Sequence, residues 1–118
     1  MLYYILTAIH GPRITMTTTL NVEAGVCQFK TVIITEMDDE MNITYKIKSA
    51  CPAVREVAKT FEPVPVFEAI AMPFTENKVY KMCSGLQHAA CPVPCAMIKA
   101  AEAEGQLALK KPVSFQFE

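Results

Sequence analysis

The spacing of apolar residues changes part-way along the chain, from a period of two to a period near 3.6. Thr17-Thr18-Thr19-Leu20-Asn21-Val22 is rich in strand formers, and Glu23-Ala24-Gly25 supplies a turn. Val26 to Thr35 is predicted as the longest strand, with Phe29 and Ile33 on one face and Val32 and Ile34 on the other. Apolar residues on both faces suit a central strand, and Cys27 opens it on the Phe29/Ile33 face. Asp38-Asp39-Glu40 reads as a charged hairpin loop. Asn42 to Lys48 then alternates, sending Ile43, Tyr45 and Ile47 to a core and Lys46 and Lys48 to water. Up to this point the pattern predicts an antiparallel meander.

Beyond Ser49 the pattern becomes helical. Cys51-Pro52 begins a helix in which Val54, Val57, Ala58 and Phe61 fall at i, i+3, i+4 and i+7. Pro52 suits the first helical position, where a missing N–H costs nothing, and this puts Cys51 at the N-cap. After a break at Glu62-Pro63-Val64-Pro65, residues Val66 to Ala71 predict a short second helix that Pro73 stops. Lys78 to Met82 reads as a short strand or an extended approach to Cys83. Pro92 to Glu104 predicts a third helix with Gly105 as its C′ stop. Val113-Ser114-Phe115-Gln116-Phe117 alternates again and predicts a closing strand. The expected architecture is α+β: a four-stranded, mostly antiparallel sheet in β-β-β-α-α-α-β order with helices packed on one face.

Length and composition narrow this further. A chain of 118 residues with 52% hydrophobic and 19% charged residues is one domain with a core of its own. A net charge of −1, with no basic run, excludes the electrostatic footprint of a nucleic-acid binder. Met1 to Ile9 is apolar but too short to span a bilayer, and it lacks the basic lead and cleavage site of a secretory signal. Gly11-Pro12-Arg13 separates it from the strand formers that begin at Thr17. Residues 1–15 therefore read as an extension or a mis-assigned start, with an added edge strand as the alternative, and 16–118 as the domain. Five cysteines are an odd number. Without a secretory signal they point to a reducing cytoplasm, where cysteines serve as ligands or reactive thiols.

The chemistry concentrates between Cys83 and Cys95, which hold three of the five cysteines and His88. Cys51-Pro52 and Cys91-Pro92 both open predicted helices, where unpaired N–H groups and the positive end of the dipole favour a thiolate. A helix starting at Pro92 sets Cys95 one turn on from Cys91, with β-carbons roughly 5–6 Å apart. That geometry allows two ligands to one metal or cluster, or an attacking and a resolving thiol. The local spacing matches no paired C-x2-C zinc or ferredoxin motif. His88 is as well explained by an exposed histidine as by a ligand, and His10 is given no role.

The ordered cysteines resemble the TSCPD domain, the cysteine module at the C-terminus of cobalamin-dependent ribonucleotide reductases that also occurs as small stand-alone proteins. Gly25-Val26-Cys27-Gln28-Phe29 is similar to that family's cysteine at a β-hairpin, and Ser49-Ala50-Cys51-Pro52 to its strand-to-helix cysteine. Met82-Cys83-Ser84-Gly85 resembles its third cysteine. Ala89-Ala90-Cys91-Pro92-Val93 resembles T-S-C-P-D, with valine in place of aspartate. The resemblance implies a four-cysteine metal site at Cys27, Cys51, Cys83 and Cys91, to which Cys95 and His88 could add or substitute a ligand.

These residues support three functions. The first is a small cysteine-rich protein holding zinc or an iron–sulfur cluster, with an accessory, carrier or electron-transfer role. The second is thiol redox chemistry at Cys91 and Cys95 with His88 as activator, although no third orienting residue is visible. The third is a non-enzymatic binding module whose cysteines only pack. The reading leans away from an enzyme. An unpaired sheet edge on so small a domain makes a homodimer an expectation, alongside an unidentified protein partner.

Overall fold

Alternation in the first half of the chain produces two hairpins in succession. The computed structural model describes residues 16–118, so the suspected extension at 1–15, with His10, lies outside the described residues. The described elements are β1 (Met16–Glu23), β2 (Lys30–Met37), β3 (Asn42–Ser49), α1 (Pro52–Ala58), β4 (Val64–Pro65), α2 (Val66–Ala69), α3 (Lys78–Met82) and α4 (Val93–Glu104). A single 3-10 turn at Phe74–Glu76 joins α2 to α3. The strands form a four-stranded sheet in the order β1-β2-β3-β4, with every neighbouring pair antiparallel. The fold is α+β, as the pattern predicts.

Register decides which side chains meet. Across the first three strands, Thr18, Thr35 and Tyr45 form one row, Leu20, Ile33 and Ile47 the next, and Val22, Thr31 and Ser49 the third. All three rows lie on the face that the helices cover: α4 crosses β1 and β2, and α1 packs on β3. Ile33, Ile43, Val54, Val64, Val66, Val79, Val93 and Met97 are buried there in one continuous cluster. The opposite face carries Lys46 and Lys48 in solvent and Val32 and Ile34 half-buried among them.

The Asp38-Asp39-Glu40 loop owes its shape to one carboxylate. Asp38 Oδ1 accepts from the backbone N–H groups of Glu40 and Asn42, each at 2.9 Å. This Asx-type turn lets Met41 take the left-handed conformation, φ 65°, that closes the hairpin.

Four expectations are corrected. The second strand starts at Lys30 and not at Val26, because Gly25 at φ 90° and Gln28 at φ 61° turn the chain first. Val26 and Cys27 therefore stand exposed at the hairpin tip rather than on the core face. Lys78–Met82 is helical despite its strand-forming Val79 and Tyr80, since the buried Asn77 caps it. Its side-chain oxygen accepts from Val79 N–H at 2.8 Å and Tyr80 N–H at 3.1 Å, while Nδ2 donates to the carbonyls of Ala69 and Ala71. The left-handed residue that ends α4 is Gln106, at φ 61°, and Gly105 is the C-cap before it. Gly105 is there for space: a β-carbon on it would sit 2.9 Å from Val66 Cγ2. Finally, Val113–Phe117 is not a strand. The fourth strand is Val64–Pro65, which pairs with the start of β3.

Candidate functional site

Two anchors hold α4 on the sheet. At its C-terminal end, Glu104 Oε1 accepts from the Thr18 hydroxyl at 2.7 Å and Oε2 accepts from the Met37 N–H at 3.3 Å. Midway, the Tyr45 hydroxyl donates to the Met97 carbonyl at 3.1 Å. At 1.5 Å per residue the helix spans ~18 Å, and its anchors on β1 and β3, Thr18 and Tyr45, lie in one row across the strands. The far end of the sheet is where β1 turns into β2 and β3 ends at Ser49.

Cys27 and Cys51 belong to that end, while Cys83 and Cys91 lie in the core beside Tyr45 and Met97. Cys27 is exposed in the β1–β2 turn, with Gln28 N–H bonded to the Gly25 carbonyl at 2.8 Å beneath it. Cys51 is half-buried just past β3, and its N–H donates to Ser49 Oγ at 3.1 Å. Ser49 in turn shares a 2.8 Å hydrogen bond with Thr31 Oγ1, which fastens the start of α1 to the sheet. Cys83 is the C-cap of α3 and is buried, 4% exposed. The loop after it lies against α1, where a β-carbon on Gly85 would meet Val57 Cγ1 at 3.0 Å. Cys91 is half-buried in the same core cluster, and its N–H donates to the His88 carbonyl at 3.1 Å.

Two expectations about these thiols need correction. Cys51 is the N-cap of α1, but its sulfur makes no hydrogen bond to the helix N–H groups. The last helix begins at Val93 with Pro92 as N-cap, so Cys91 lies outside it. Cys91 and Cys95 are therefore not successive residues of one helical face: Cys91 packs inward and Cys95 is exposed. His88 is exposed and uses its backbone carbonyl in the loop.

Electrostatics single out Cys83. Burial, and after it the charge of the neighbouring Cys91, push its thiol up to about 12. Burial first and then the charge of Cys83 raise the Tyr45 phenol well above its ordinary value. Cys83 Sγ also approaches Met97 Sδ at 3.7 Å. Cys83 thus lies among Cys91, Tyr45 and Met97 in a sulfur-rich part of the core. Tyr45 and Met97 read from sequence as core residues. The available signal for Met97 is its place on the buried stripe Val93, Met97, Ala100, Ala101 and Glu104 of α4. The acid at the end of that apolar stripe is equally visible as a buried anchor.

The donor chemistry suits a soft metal, since thiolates and thioethers favour zinc, copper(I) and iron–sulfur clusters. The count falls short of a closed site. Among the described residues, no three His, Cys, Asp or Glu side chains are grouped so that they could hold a metal ion.

A family model described as a family of unknown function, DUF6951, matches residues 18–117. The chain belongs to that family. Nothing in the match links DUF6951 to the TSCPD domain, and no curated protein and no solved structure matches the chain. The DUF6951 stretch takes in every cysteine and the C-terminal tail as far as Phe117. No helix among the described residues is long and apolar enough to cross a membrane.

Proposed function

We propose that this DUF6951 protein is a small cytoplasmic metal-binding protein that carries zinc or an iron–sulfur cluster in an accessory, carrier or electron-transfer role. One observation supports the reading above the rest: soft donors cluster in the core, where Cys83 lies beside Cys91 and its Sγ approaches Met97 Sδ at 3.7 Å. Cys83 and Cys91 would supply two of the ligands, and Cys51 and Cys27 would have to move towards them to complete the set. Bound by four thiolates, zinc would add its binding energy directly to folding. Exposed thiols beside a cluster would suit transfer instead.

Protein purified without oxygen and assayed for zinc, iron and acid-labile sulfide tests this. We expect stoichiometric metal in the parent, and its loss on replacing Cys83 and Cys91 with serine. A folded parent free of metal sinks the proposal. The competing reading, favoured by the burial of Cys83 and its raised pKa, is a core thiol that only packs. It predicts a stability change in the serine variants with no metal in the parent to lose.

A further inference from the structure

The two edges of the sheet are built differently. Beyond β3 the edge is blunted: β4 is two residues long and ends in Pro65, which cannot extend a ladder. At the other side, β1 is eight residues long and is the edge strand among the described residues. Its sequence Met16-Thr17-Thr18-Thr19-Leu20-Asn21-Val22-Glu23 contains no proline, lysine or arginine, the residues that ordinarily discourage edge pairing.

The same molecule carries a segment shaped for such an edge. After Gly105 the chain keeps an apolar residue at nearly every second position: Leu107, Leu109, Val113, Phe115 and Phe117 are all exposed, the last two at 87% and 105%. Large apolar side chains in so regular a series are unusual on a free surface. The family match runs to Phe117, so the tail is part of the domain and not an appendage.

We infer that the C-terminal segment Val113–Phe117 of one copy pairs antiparallel with β1 of a second copy, each tail extending its partner's sheet in a two-fold exchange. Setting Phe115 beside Leu20 brings Val113 beside Val22 and Phe117 beside Thr18. All three tail residues then fall on the helix-covered face, next to Leu20, which is only half-buried within one copy. The same register carries Lys110 and Lys111 to the Glu23 end of β1. A parallel pairing would send them to the other end, away from the only acid on the strand. Phe115 and Phe117 from both copies, at roughly 150–250 Å² each, supply the larger part of the ~1,200 Å² at which specific interfaces begin. Among the described residues neither the tail nor any other strand pairs with the outer edge of β1.

Light scattering on the full chain, with reductant present so that exposed Cys27 and Cys95 cannot cross-link, should give a dimeric mass. The double variant Phe115→Asp/Phe117→Asp, and separately a chain ending at Lys111, should be monomers with the parent's circular dichroism. Slow amide exchange over residues 113–117 in the parent would accompany the dimer. A monomeric parent overturns the inference, whether its tail is free or folded back onto its own β1. A dimer that survives both tail changes overturns it too, because some other surface must then hold the copies together.

Discussion

Cys83 combines two properties that pull in different directions: it is buried like a core residue, and it lies beside a second thiol. Its pKa fixes a pH window for metal-free protein. Below about pH 9, the ordinary value, the thiol is protonated in both folded and unfolded chains and nothing is lost. Above it the unfolded chain gains by ionising while folded Cys83 keeps its proton to about 12, so stability falls as pH climbs through that interval. Tyr45, raised by the same burial, acts in the same direction at the top of the range. Urea midpoints of metal-free protein should therefore drop as pH rises above about 9, and Cys83→Ala should flatten that drop whatever its own baseline stability. An unchanged slope in the variant would assign the alkaline loss elsewhere. A metal ligated by Cys83 must displace this proton, which ties the metal's affinity to the same window.

At the scale of single elements, Asn77 shows how one side chain settles a conformation. Its oxygen caps α3 and its amide nitrogen ties down the carbonyls that end α2, so two short helices share one residue. Asn77→Ala should cost about 2 kcal/mol, from a lost cap and stranded carbonyls. Asn77→Asp keeps the cap without the donor and should fall between, as chemical denaturation would reveal. The same residue marks a limit of sequence patterning. The three long strands and the final helix are legible because their apolar periods run over seven or more positions. Lys78–Met82 is not, because its strand-forming residues outnumber the single polar group that overrides them. The tail misleads for another reason: alternation describes a segment able to pair and carries no information about which edge is vacant. In the site, the sequence identifies which cysteines sit at element ends. It does not reveal that left-handed Gln28 lifts Cys27 off the sheet, or that a helix beginning one residue late separates Cys91 from Cys95.

Over the whole molecule, the sheet and its covering helix are joined by a contact between residues 86 positions apart, Thr18 and Glu104. The Glu104 carboxylate is buried and takes hydrogen bonds from both β1 and β2, so it fixes where α4 ends and where the tail departs. Glu104→Ala leaves the Thr18 hydroxyl and the Met37 N–H without an acceptor and should cost about 2–3 kcal/mol. Glu104→Gln, which retains one acceptor oxygen, should cost less in the same unfolding experiment.

That anchor has a consequence in time as well as in space. Synthesis delivers the β1–β3 meander first, and its two hairpins can zip locally as they emerge. The helix that covers β1 and β2 is made only after α1, α2 and α3, so the apolar rows of the meander wait, uncovered, while those are synthesised. Growing chains halted before Val93 should be the protease-sensitive and aggregation-prone species, and release of α4 should be the event that ends that exposure.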